Sequence, residues 1–159
     1  MNEFVGFNPL VYVDSEVLVL GSFPSVISRE NNFYYEHPQN RFWKVLSFIF
    51  NEPLPANIDE KKALCQKHKI ALWDVIVSSN LKDSSDSALE KSDFVLADIE
   101  SLLKKYPNIK KIVCNGKLSY KLYLKYFKKL NIEVVCLPST SPANTRFDID
   151  VWEKELIYN

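Results

Sequence analysis

The sequence predicts an α/β domain with a short parallel sheet and helices on both faces, on three observations. Short apolar runs recur along the chain, and each ends at Gly, Pro or a polar loop. Between them lie segments whose apolar residues fall at helical spacing, and this alternation is the pattern of a parallel sheet covered by crossover helices. The 159 residues contain no internal repeat and fit one domain, taken as residues 1–159, with a sizeable core.

The elements follow in order. Glu16 to Gly21 is a buried strand feeding a loop. The loop region from Gly21 to Trp43 mixes Gly, Pro, Ser, His and Asn with the rings of Phe23, Phe33, Tyr34, Tyr35 and Phe42, and such a run contributes little to a core. Asn40 stands where an N-cap is wanted before a helix over Arg41 to Phe50. Pro53 to Ala56 reads as a connection and Asp59 to Lys69 as a charged helix. Ile70 to Val77 is the second strand, followed by a polar loop, Ser78 to Lys91, long enough to be functional. Ser92 or Asp93 would cap a helix from Phe94 to Tyr106, which closes at Pro107. Lys111 to Cys114 is strand three, Lys117 to Leu130 a helix with a solvated lysine face, and Ile132 to Leu137 strand four. A second polar loop, Pro138 to Arg146, leads into a last helix from about Asp148 to Ile157. In open α/β sheets ligands bind outside the carboxyl ends of the strands, so the loops after strands one and four are expected to share one crevice.

Composition removes several function classes. Lys plus Arg and Asp plus Glu each count 20, so any nucleic-acid contact must come from a local patch rather than bulk charge. Cys65, Cys114 and Cys136 are too widely spaced for a zinc site, a cluster or a disulfide framework, and read as buried free thiols in a reducing cytoplasm. No basic apolar leader and no membrane-length apolar window is present, so a cytoplasmic protein without membrane contact is expected. The dinucleotide and phosphate-loop glycine motifs are missing, Gly21-Ser-Phe-Pro-Ser25 does not match the serine-hydrolase elbow, and His37 and His68 are the only histidines. What remains is a crevice of rings, hydroxyls and one carboxamide. Rings stack on a nucleobase, hydroxyls and backbone N–H groups hold phosphates, and an Asn amide orients a water, a set that suits one unstacked nucleotide.

Four blocks then carry a family resemblance: Gly21 to Ser25, Tyr34-Tyr-Glu-His-Pro-Gln-Asn-Arg-Phe-Trp43, Ala71-Leu-Trp-Asp-Val75, and Leu137-Pro-Ser-Thr-Ser-Pro-Ala-Asn144. Together they resemble the uracil-DNA glycosylase superfamily, specifically its hypoxanthine-DNA (deoxyinosine) glycosylase branch, and the block from His37 is also similar to the mismatch-specific uracil enzymes. The resemblance implies a three-layer α/β/α domain with a short central parallel sheet, monofunctional cleavage of a deaminated base from DNA, no cofactor, no metal and a monomer. It assigns Asn40 as the catalytic residue that places water. Gly21, Ser22, Phe23, Pro24, Tyr35 and His37 would hold the base, Tyr35 by stacking and Ser22 with the Phe23 backbone by hydrogen bonding. Ser25, Ser139, Thr140, Ser141, Pro142, Asn144 and Arg146 would contact DNA, the Pro142 to Asn144 tip filling the vacated stack. Two departures stand out. Ser22 or Phe23 occupies the place of the uracil enzymes' Asn or Asp, and Leu137 replaces the His or Asn that donates to the uracil carbonyl.

The residues also allow plainer roles. Asn40 can be only an N-cap, His37 can brace its loop before Pro38, Arg41 can meet a phosphate or cover the helix start, and Asp74 reads as a loop-bracing acceptor. The competing functions are uracil excision, a non-catalytic nucleobase-binding module, and an interaction domain without a pocket.

Overall fold

A computed structural model describes residues 4–80 and 93–157. In chain order the elements are β1 (Phe4–Val5), β2 (Val17–Gly21), α1 (Val26–Asn31), α2 (Phe42–Ile49), α3 (Ile58–Lys67), β3 (Ile70–Asp74), β4 (Ile76–Ser79), β5 (Phe94–Leu96), α4 (Ile99–Lys105), β6 (Lys111–Asn115), α5 (Lys117–Phe127), β7 (Glu133–Leu137) and α6 (Ile149–Ile157). Four strands form a parallel sheet in the order β3-β2-β6-β7, with Leu18 opposite Ala71 on one side and Ile112 on the other. All four carboxyl ends therefore lie along one edge.

Alternation along these strands divides the core in two. Leu18 and Leu20 of β2, Ala71 and Trp73 of β3, and Ile112 and Cys114 of β6 face one layer with Ile99 and Leu102 of α4 and Leu118, Leu122 and Tyr123 of α5. Val19, Ile70, Leu72 and Val113 face the other, against Phe42, Trp43, Val45, Leu46 and Ile49 of α2, Leu64 and Cys65 of α3, and Trp152 of α6. Both faces of the sheet are covered, as the continuous apolar runs predict. Trp152 is fully buried, and its indole N–H donates to the Pro138 carbonyl at 2.8 Å, so α6 holds down the start of the loop after β7.

Several local expectations are corrected. The apolar run 70–77 is two strands. β3 belongs to the parallel sheet, while β4 joins β1 and β5 in a small antiparallel sheet ordered β1-β4-β5. Phe94 to Leu96 is strand β5 rather than the start of a helix, because an aromatic and a β-branched residue here find a free edge on β4. Helix α4 starts later, capped by Asp98, whose Oδ1 accepts from the Ser101 N–H at 3.1 Å. Ser92 and most of the 78–91 loop lie outside the described residues. Two elements escape the sequence reading: strand β1 and the six-residue helix α1, capped by Ser25. Helix α5 ends at Phe127 rather than Leu130. Cys65 and Cys114 are buried free thiols as expected, but Cys136 is exposed, since β7 is an edge strand. Among the described residues no helix is long and apolar enough to cross a membrane.

Candidate active site

At the carboxyl edge of the sheet, backbone constraints bring three loops together. Gly21 ends β2 where a side chain has no room: a Cβ there would stand 2.4 Å from Oδ1 of Asp74 at the end of the adjacent β3. The chain then turns through Ser22 to Pro24 into α1, whose cap is the Ser25 hydroxyl, accepting from the Ser28 N–H at 3.1 Å. Gly116 follows β6 with φ of +102°, and a Cβ on it would press against Ser139 at 3.0 Å, so the loops after β6 and β7 meet closely. Between these loops lies a cavity of about 180 Å³, lined by Gly21 to Ser25, Tyr34, Tyr35, Asn40, Asp74, Asn115 to Ser119 and Ser139 to Ser141.

Asn40 sits just before α2 and is held firmly. Its Oδ1 accepts from the Phe42 N–H at 2.9 Å, and its own N–H donates to the His37 carbonyl at 2.9 Å. The N-cap of α2 is Arg41 rather than Asn40, which stands one residue earlier; its Oδ1 braces the first helical N–H and keeps a second lone pair toward the cavity it lines. Arg41 locks this segment to the loop after β7. Its backbone N–H donates to the Thr140 carbonyl at 3.0 Å, its guanidinium donates to the carbonyls of Ser141 and Asn144 at 3.1 and 2.9 Å, and it lies over the Phe147 ring. The side chain is a tie between loops 100 residues apart, a role that the sequence does not suggest.

The part of the cavity wall made by Tyr34, Tyr35 and Asp74 is aromatic and acidic. Tyr34 is buried, its hydroxyl donating to the Asn8 carbonyl at 2.9 Å and its carbonyl accepting from the Trp43 indole at 3.2 Å. Tyr35 follows with φ of +55°, a left-handed conformation that costs a non-glycine residue about 1 kcal/mol and is held by stacking on Phe42 at 4.2 Å. One face of its ring is thus already covered. The Tyr35 hydroxyl is buried and makes no hydrogen bond of good geometry; the Asn115 amide, bonded to Thr140 through each of its polar atoms, lies near enough to ease the phenol's ionisation slightly. Burial dominates and drives the phenol's pKa far up, with the Asp74 charge adding to the rise. Asp74 is 5 % exposed, its Oδ2 has no hydrogen-bond partner, and burial pushes its carboxyl up to about 7. It braces no loop, contrary to the sequence expectation.

The predicted site residues divide accordingly. Gly21, Ser22, Phe23, Pro24, Ser25, Tyr35, Asn40, Ser139, Thr140 and Ser141 all line the cavity, whereas His37, Pro142, Asn144 and Arg146 do not. His37 braces its loop, its Nδ1 accepting from the Gln39 N–H at 3.1 Å. Asn144 folds inward, donating to the Ser139 carbonyl and accepting from the Arg146 N–H. Pro142, Ala143 and Arg146 are exposed at the loop tip and its exit. Thr140 is fully buried and its Oγ1 accepts from Asn115, so it is not presented to a phosphate. The hydroxyls of Ser25, Ser139 and Ser141 each accept one backbone N–H and keep their own proton to donate.

The sequence does not single out Asn115, Ser28 or Lys117, all of which line the cavity, nor the buried state of Asp74. Asn115 carried a signal: it is a carboxamide at the carboxyl end of an apolar central strand, the same position that drew attention to Gly21. Lys117 belongs to the lysine-rich helix face that the sequence makes solvated, but at the first position of α5 it lines the cavity. Among the described residues no group of His, Cys, Asp and Glu is placed to hold a metal ion.

Comparison with known proteins adds independent findings. The family model described as the Uracil DNA glycosylase superfamily matches residues 9–159. A protein of Methanosarcina barkeri named hypoxanthine DNA glycosylase is 32 % identical over 142 residues, covering 89 % of this chain and 88 % of that one. One of the same name from Methanosarcina acetivorans is 34 % identical over 143 residues, covering 89 % of each. The solution NMR structure of a protein from Methanosarcina acetivorans, described as a candidate uracil DNA glycosylase, superposes with a TM-score of 0.85 at 28 % identity, covering 99 % of this chain and 98 % of that one.

Proposed function

The chain belongs to the uracil DNA glycosylase superfamily, and from that premise we propose that it removes hypoxanthine from deoxyinosine in DNA, with Asn40 placing the attacking water. It is a DNA repair glycosylase acting on deaminated bases, and its relatives named hypoxanthine DNA glycosylase point to the particular base. The observation that carries the reading is that Asn40 and the Ser139 to Ser141 loop, tied by Arg41, border one cavity.

The chemistry follows from what these groups can do. A nucleotide swung out of the duplex presents its base to the cavity and leaves its phosphates at the rim, where the protons of Ser25, Ser139 and Ser141 are available. As the C1′–N bond breaks, the sugar becomes cationic and so electrophilic that water needs placing more than deprotonating. The Asn40 carboxamide, fixed by the Phe42 N–H, offers its remaining lone pair for that water. Tyr35 offers the ring face not covered by Phe42, and Ser22 with the Phe23 backbone the polar contacts to the base. Leu137 is buried in the core and brings no donor to the cavity, which favours hypoxanthine over uracil. The exposed Pro142 and Ala143 tip is suited to filling the vacated stack. We read the chain as one domain working as a monomer in the cytoplasm, without a cofactor.

The test is excision from duplexes carrying a single inosine or uracil, read by alkaline cleavage of the abasic site. Inosine strands should be cut in preference to uracil strands, and Asn40→Ala should abolish most cutting while the fold survives. Absence of cleavage on both duplexes at enzyme excess would refute the reading.

A further inference from the structure

The reaction as derived leaves one buried group without employment. Asp74 lines the cavity at the end of β3, is 5 % exposed, has an orphaned Oδ2, and packs against the Cα of Gly21, where no side chain could intervene. A buried acid with one oxygen left without a donor is costly, and native structures rarely keep one without use. The Tyr35 hydroxyl, also buried and without a bond of good geometry, lies at the same place, since a Cβ on Gly21 would stand 3.5 Å from it. Two unsatisfied groups thus share one end of a cavity otherwise made of self-satisfied loops.

We propose that Asp74, as a neutral carboxylic acid, is a catalytic residue that donates a hydrogen bond to the departing base. The proposal rests on the glycosylase reading above and adds the group that receives the leaving electrons. When the C1′–N bond breaks, its electron pair goes to the base; water adds its oxygen to C1′, and the proton it releases ends on the base. The developing negative charge on the base would be repelled by an ionised carboxylate at contact distance and is stabilised by a neutral O–H. Deamination supplies the acceptor: it replaces an exocyclic amine by a carbonyl oxygen. Asp74 shares its proton during bond rupture and retains it afterwards, so no further reactant is needed.

The surroundings allow the neutral form. Burial alone raises the carboxyl to about 7. The loop after α1 brings Tyr34 and Tyr35 into electrostatic contact with it, both with strongly raised pKa; behind Tyr35 stand Cys114 of β6, pushed up to about 12, and Cys65 of α3, also about 12. These four stay neutral through the physiological range. β2 presents Gly21, which has no titratable group, and α5 brings Lys117 to the cavity.

The decisive experiment measures single-turnover excision from inosine duplexes between pH 5.5 and 8.5 for wild type, Asp74→Asn and Asp74→Ala, with thermal melting of each variant as the folding control. Wild type should lose about 30-fold across that range as the acid ionises. Asp74→Asn, which keeps an N–H donor and cannot ionise, should show no such alkaline limb. Asp74→Ala should fall about 100-fold at pH 6. A flat wild-type profile, or an alkaline limb that persists in Asp74→Asn, would overturn the proposal while leaving the glycosylase reading intact. Should wild type cut neither inosine nor uracil strands, that reading fails instead, and free hypoxanthine then serves as the probe. A melting shift at pH 6 that disappears at pH 8 in wild type but not in Asp74→Asn supports the donor role. Equal shifts at both pH values, or none, reject it.

Discussion

Replacing Asp74 by Asn should change how stability depends on pH, and the size of the change can be worked out. In the unfolded chain the carboxyl ionises near its ordinary value of 3.8, and in the folded chain near 7 because of burial. Between these values the folded state binds the proton more tightly, so stability falls as pH rises. The favourable contribution is fully present below about pH 3.8 and is gone once pH passes about 7. Roughly three pH units at about 1.4 kcal/mol each make about 4 kcal/mol in all, of which about 2.5 kcal/mol falls between pH 5 and 8. Asn cannot ionise, so this slope vanishes in the variant, while every other titrating group cancels in the comparison. Urea unfolding of both proteins at pH 5, 6, 7 and 8 measures it: the wild-type free energy should drop relative to Asp74→Asn by about 2.5 kcal/mol, or about 5–10 °C in melting temperature. Parallel curves for the two proteins would mean that Asp74 ionises normally in the fold, and the reasoning from burial would be wrong.

Other perturbations separate the parts of the site. Arg41→Ala removes two guanidinium bonds to the carbonyls of Ser141 and Asn144 and the contact with Phe147, and should cost about 2 kcal/mol by denaturant unfolding. Excision should fall with it, because Asn40 and the Ser139 loop lose their fixed spacing; unchanged kinetics would show that the tie is dispensable. Tyr35→Phe keeps the ring and deletes a buried hydroxyl that lacks a well-formed hydrogen bond, so its melting temperature should hold or rise; a clear drop would show that the hydroxyl is bonded. Gly21→Ala places a methyl 2.4 Å from the Asp74 carboxylate, and should lower excision at least tenfold while the strand pairing seen by circular dichroism remains. Trp152→Phe takes the indole donor from the half-buried Pro138 carbonyl and should destabilise by about 1–2 kcal/mol, readable as a lowered denaturant midpoint.

Apolar runs, helical spacing and strand-end polarity suffice to place the parallel sheet, its covering helices and the edge where the loops gather. These are local patterns, and burial on both faces enforces them. Four short blocks of residues likewise point to Asn40 and to the serines of both loops. Three matters lay beyond any local pattern. β5 is a strand because β4 offers an open edge, and neither segment announces the other. Arg41 is a tie because its guanidinium meets carbonyls 100 residues away in the chain. Asp74 looks in sequence like any acid at a strand end. Only the packing of Gly21, Tyr35 and the neighbouring strands removes most of its water and leaves its Oδ2 without a donor, and a carboxyl's proton affinity is set by that three-dimensional desolvation rather than by its neighbours along the chain.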